Sequence, residues 1–161
     1  MYNWYAIDLE TGVCPEGWYV PTDDEWTLLS DYLGGSDIAG GKMKECTGGS
    51  CPESEYWNSP NTGATNESGF TGLPGGYRYG SNGNYFGMGY YGYFWSSTVH
   101  HSYSAWSRVL NYNNSVIDRY DRSKDIGFSV RCIRDLDYLT IHPDLSGLKT
   151  DLCSTSLILI N

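Results

Sequence analysis

Between Tyr93 and Asp135 the chain reads YFWSSTVHHSYSAWSRVLNYNNSVIDRYDRSKDIGFSVRCIRD, and this segment constrains the fold more than any other. Its two ends, Phe94-Trp95-Ser96-Ser97-Thr98 and Gly127-Phe128-Ser129-Val130-Arg131-Cys132, have the character of packed framework. The middle does not: from His100 to Asp125, sixteen of twenty-six residues are Tyr, His, Asp, Ser or Asn. These five are linked by the genetic code, because a single change at an adenine of an Asn codon yields Tyr, His, Asp or Ser. Tyr, Ser and Asn also dominate evolved binding loops, where Tyr gives rigid contact area and Ser and Asn give adaptable hydrogen bonds. The segment reads as a diversified binding surface on a fixed scaffold. Ordinary polar loops use the same residues for turns, and that alternative stays open on composition alone.

A chain of 161 residues is long enough for one domain with a real core. Its net charge of −9 argues against nucleic acid and against an anionic membrane as partner, since both need clustered Lys and Arg. Fifteen Tyr, six Trp and twenty Gly predict a loop-rich fold with Trp and Tyr layers in place of Leu-rich helices. No segment reaches the roughly 18 apolar residues of a membrane span, and no basic region followed by an apolar one marks a signal peptide.

Five cysteines are present. Cys46 and Cys51 are close enough for a local bridge, and Cys14 and Cys132 are placed to join the two ends of the domain, with Cys153 left over. Free thiols and a zinc site are the rival readings, although no C-x-x-C or nearby His pair supports zinc. Disulfides would imply an oxidising compartment.

Along the chain, Tyr2–Ile7 alternates as a first strand would. Thr22-Asp23-Asp24-Glu25 predicts a helix start with a capping box, Trp26, Leu29 and Leu33 share its inner face, and Gly34-Gly35 ends it. A second, weaker helix is expected from Ile38 to Glu45. Residues 46–92 show little periodicity, and so long an irregular stretch is often functional. Ala105–Tyr112 alternates, with Trp106, Arg108, Leu110 and Tyr112 on one side and Ser107, Val109, Asn111 and Asn113 on the other. Phe128–Ile133 is expected to be a late, central strand. Domain boundaries are expected at 1–135, with a variable region at about 93–131, and at 136–161 for a C-terminal extension. The apolar end of that extension, Ser156-Leu157-Ile158-Leu159-Ile160, would pack on this domain or on another subunit of a homo-oligomer.

The segments YNWYAIDLETGVCPEGWYVPTDDEW, AGGKMKE, GFTGLPGGYR, YFWSST and GFSVRCIRD resemble, in order, the Fibrobacter succinogenes major paralogous domain family over Tyr2–Asp135. The resemblance implies an α+β fold, C-type-lectin-like and related to the formylglycine-generating-enzyme scaffold. Two early helices, a twisted antiparallel sheet and long irregular loops would make it up. The stretch between FWSST and GFSVRC also resembles the variable region of a diversity-generating retroelement target protein. In such systems a mutagenic reverse transcriptase alters template adenines. This resemblance implies a ligand-contacting role for Tyr93, His100, His101, Tyr103, Ser104, Ser107, Val109, Asn111, Asn113, Asn114, Val116, Asp118, Tyr120, Asp121, Arg122, Ser123, Asp125 and Ile126. Val109, Val116 and Arg122 need more than one codon change and are the less secure members. Trp95, Trp106, Arg108, Ile117, Arg119, Gly127 and Phe128 read as framework.

An enzyme is weighed and set aside. Cys132 lies in a framework strand with no second Cys nearby in sequence, so it reads as structural. His100 and His101 are adjacent, and neighbours on a strand face opposite ways. The Asp118 and Asp121 pair lies, like these histidines, where randomisation would destroy chemistry. Calcium-dependent sugar-binding motifs of the EPN, QPD or WND type are absent, so neither metal nor cofactor is expected. The expected function is recognition of a protein or glycan on a cell surface, by a protein that is extracellular, on a cell surface or on a virion. The rival is a structural surface or adhesin module with one fixed partner.

Overall fold

A computed structural model describes residues 1–10, 12–47, 51 and 53–135. The proposed extension at 136–161, with Cys153, lies outside the described residues. In chain order the elements are α1 (Trp4–Ile7), β1 (Trp18–Tyr19), α2 (Asp23–Tyr32), α3 (Ser36–Met43), β2 (Tyr77–Arg78), β3 (Tyr85–Phe86), β4 (Tyr91–His101), β5 (Ser104–Asn111), β6 (Ile117–Ser123) and β7 (Ile133–Arg134). Among the described residues the architecture is α+β, with three helices and small antiparallel sheets. The largest has the order β4-β5-β6, while β1 pairs with β7 and β2 with β3.

The α2 helix starts where its sequence predicts. Thr22 Oγ1 accepts from Glu25 N at 3.2 Å, and the Glu25 carboxylate accepts from Thr22 N at 2.8 Å, closing the capping box. Gly34 and Gly35 follow with φ of 103° and 98°, values that favour glycine. α3 begins two residues before the expected Ile38 and ends at Met43.

The central sheet is packed on both faces. One face sends Phe94, Leu110 and Ile117 into a cluster with Trp26, Leu33, Ala39 and Met43 of α2, α3 and their junction. The other packs Trp95 and Ala105 against Trp4 and Phe128. Buried indoles need a partner for the ring N–H, and here each finds a backbone carbonyl. Trp4 donates to Ser96 at 2.9 Å, Trp57 to Gly72 at 2.8 Å and Trp95 to Tyr2 at 3.0 Å. The aromatic layers therefore fix the path of the irregular chain as well as filling the core.

Two expected strands are corrected. Only Tyr2 of the first makes a bridge, to Phe128; the Asn3 side chain then accepts from Ala6 N at 3.1 Å and caps a short helix that turns Trp4 inward. Phe128–Ile133 is not a central strand either. Phe128 and Ser129 make single bridges to Tyr2 and Phe94, and regular pairing resumes only at Ile133–Arg134. The segment is held by side chains instead: Phe128 is core, Arg131 donates to Phe70 O at 2.8 Å, and Cys132 is bonded to Cys14.

The disulfides are Cys14–Cys132 and Cys46–Cys51. Two such bridges are the pattern of proteins exported to an oxidising compartment.

Candidate binding face

The β4-β5-β6 sheet alternates its side chains, and register decides which of the predicted contact residues reach solvent. Tyr93 pairs with Val109 and Val109 with Asp118; Ser107 pairs with Tyr120 and Ala105 with Arg122. Tyr91, Tyr93, Asn111, Asp118, Tyr120 and Arg122 thus share one face with the buried Trp95, Ala105, Ser107 and Val109. Three predicted contacts are corrected here. Ser104 (2% exposed), Ser107 (0%) and Val109 (4%) are buried. They lie on the middle strand, flanked on both sides and covered, and the Ser107 hydroxyl donates to Tyr120 O at 2.9 Å. They cannot touch a ligand in this fold.

The remaining predicted residues are at or near the surface. His101, Tyr103, Asn113, Tyr120, Asp121, Ser123 and Asp125 are exposed, and Tyr93, His100, Asn111, Asn114, Val116, Asp118, Arg122 and Ile126 are half-buried. They fall into separate groups. On the first face an aromatic stripe runs from β3 across β2 and β4 to β6. Phe86 and Tyr77 have ring centroids 5.6 Å apart, Tyr77 and Tyr93 5.4 Å, and Tyr91 and Tyr93 5.8 Å; the Arg122 guanidinium lies 4.6 Å from the Tyr120 ring. Burial pushes the Tyr93 phenol up, against the opposing charge of nearby Arg122. Burial also raises the Asp118 carboxyl.

On the opposite face, a stack lies along the hairpin edge. The Arg119 guanidinium is 3.3 Å from the Trp106 ring centroid, Trp106 is 4.2 Å from His100, and His100 is 3.9 Å from His101. His100 Nδ1 sits 3.4 Å from an Asp121 carboxylate oxygen without a hydrogen bond between them. The expectation that His100 and His101 face opposite ways is corrected: the register shifts around Val99 and His101 break the alternation. Arg119 is anchored by Asp23, accepting from Nε at 2.9 Å and from Nη2 at 2.7 Å, while Arg108 Nη1 reaches the same carboxylate from the core. Burial raises the Asp23 carboxyl, but hydrogen bonds from Arg119 and Arg108 outweigh it and hold the group below its usual range.

Sequence reasoning missed Tyr77, Phe86 and Tyr91 on the first face, and Trp106 and Arg119 as surface groups on the second. The first three lie outside the Asn-like segment, and no local signal marks them. Among the described residues, no three His, Cys, Asp or Glu side chains are grouped to hold a metal, and no helix is long and apolar enough to cross a membrane.

The aromatic motifs now occupy a single folded unit that includes α1 at one end and β7 at the other. A family model described as the Fibrobacter succinogenes major domain matches residues 1–134. This chain belongs to that family. The match to the Fibrobacter succinogenes major domain covers both cores, both disulfides and both groups of surface residues. A search of curated proteins and a search of solved structures each found no match.

Proposed function

We propose that this domain is a non-enzymatic recognition module with a C-type-lectin-like fold, whose β4–β6 surface is diversified by a diversity-generating retroelement. Its ligand is a protein or glycan at a cell surface, met by a domain displayed outside the cell or on a virion. The observation that supports the reading is the aromatic stripe: Tyr77, Tyr91, Tyr93 and Tyr120 form a ledge on one face, with Arg122 and Asp118 beside them. Tyr120 is exposed and Tyr77, Tyr91 and Tyr93 are half-buried; aromatic groups that reach the surface in this way mark interaction sites. A ledge held by two packed cores loses little ordering entropy on binding.

The deciding experiment is to sequence the DNA around the gene. The reading expects a near-copy of the segment encoding Tyr93–Arg131, differing where the copy has adenine, beside a reverse-transcriptase gene. Absence of such a copy would leave the second reading, a structural surface module with one fixed partner. That reading is favoured by Tyr85, Phe86 and Met88, large apolar side chains that are exposed yet lie outside the diversified segment.

A further inference from the structure

Lys44 is fully buried at 0% exposure, and among the described residues no carboxylate receives its ammonium group. Nζ donates instead to three backbone carbonyls: Thr62 at 2.8 Å, Asn111 at 2.9 Å and Asn114 at 2.9 Å. Burial pushes its pKa down to about 8. A buried cation is expensive unless its hydrogen bonds are met, so all three ammonium protons being spent on main chain needs a reason. Two of the carbonyls belong to the β5–β6 turn, inside the segment predicted to vary.

The same motif touches that turn twice more. Gly41 N donates to Ser115 O at 3.0 Å. A Cβ on Gly40 would lie 2.2 Å from Val116 O, so only glycine lets α3 approach this closely. Close by, Thr62 N donates to Tyr112 O at 2.8 Å. These contacts all meet main-chain atoms. The Asn111 and Asn114 side chains bond within the turn, to Asn113 N at 3.3 Å and Val116 N at 3.0 Å. Ser115 is different: its Cβ lies 3.3 Å from the place of a Cβ on Gly41, and its hydroxyl would be 2.1 Å from one on Gly63.

We propose that Lys44, with Gly40 and Gly41, is a positioning clamp that fixes the β5–β6 turn through its carbonyls, so that residues 111, 113, 114 and 116 can change without moving the backbone. A carbonyl is present whatever the side chain. The clamp therefore separates the shape of the turn from its sequence, which is what a diversified face requires; in that purpose the inference rests on the proposed function. Ser115, whose side chain does meet the framework, is excluded from the freedom.

The test displays the whole chain on cells with positions 111, 113, 114, 115 and 116 randomised, and sorts for protease resistance. Most members should stay as resistant as the parent, with small residues enriched at 115 and no preference at 111, 113 or 114. In the Lys44→Gln background the resistant fraction should fall about tenfold or more, as carbonyls lose partners. Amide exchange on the native-turn protein supplies a second readout. Replacing Asn111, Asn113 and Asn114 together by Ala should leave the Gly41, Thr62 and Tyr112 amides protected, whatever Lys44→Gln does to overall folding. Strong selection at 111, 113 and 114, or loss of that protection in the triple variant, would overturn the clamp. A missing template copy in the DNA would instead remove diversification as its purpose and leave these results standing.

Discussion

Tyr103 and Tyr120, 66% and 43% exposed, stand clear of the core, whereas Trp95 at 0% is enclosed on every side. Tyr103→Ala and Tyr120→Ala should leave the melting temperature almost unchanged while weakening any ligand. Trp95→Ala should cost about 3–5 kcal/mol, as truncation of a buried aromatic does; thermal unfolding of the three variants separates these outcomes. Asp23 couples folding to pH at the acid end. Its folded pKa is depressed, so its contribution is present above the unfolded value of about 3.8 and is lost as pH falls through the lower folded value. Asp23→Asn leaves Arg108 buried without its counter-charge, and should destabilise the protein by about 3–5 kcal/mol at neutral pH. Stability measured from pH 6 down to pH 2 should fall less steeply in that variant than in the parent.

Among the elements, the long irregular region is held mostly by point contacts, with the two-residue β2–β3 pairing as its short ladder. Its backbone bonds run to distant partners, such as Gly76 N to Tyr91 O at 2.7 Å and Glu45 N to Gly72 O at 3.0 Å. The Cys14–Cys132 bond spans 118 residues and ties the β1 region to the segment leading into β7. Replacing both cysteines by Ser should lower stability by about 2–5 kcal/mol, because the unfolded chain regains the freedom a long closed loop denies it. Denaturant melts would show the loss as a lower midpoint. The Cys46–Cys51 bond closes a far shorter loop, so its removal should cost less. At this scale α2 was legible beforehand, since a capping box and an inward Trp26-Leu29-Leu33 face are local signals. The short α1 was not: Tyr2–Ile7 alternates like a strand, and what decides it is the Asn3 cap and the burial of Trp4 against Phe128, far away in sequence.

For the whole molecule, the candidate face combines residues from β2, β3, β4 and β6, and only part of it was visible in the chain. Tyr120 and Arg122 were marked by the Asn-like segment, and Tyr93 only by the resemblance. Tyr77, Phe86 and Tyr91 were not, because they join the face through strand pairing between distant segments. Ser104, Ser107 and Val109 were misread for a related reason. Alternation says which residues share a side, but not how deeply each is covered: Ser107 and Val109 on one side of β5, and Ser104 on the other, are all enclosed on the middle strand of the sheet. If the face works as proposed, combining Tyr77→Ala with Tyr91→Ala should weaken ligand binding as much as Tyr93→Ala does, measured by surface plasmon resonance against a captured ligand. Unchanged affinity in the double variant would confine recognition to the diversified segment.

The residues themselves determined the family motifs, the α2 cap, the aromatic character of the core and the alternation of β5, because each depends on neighbours within a few positions. Tertiary structure alone decided how deeply each position of the central sheet is buried, why AGGKMKE contains two glycines and a buried lysine, and how two groups of surface residues end on opposite sides of one sheet. Those outcomes depend on which distant backbones approach one another, and no local pattern encodes that.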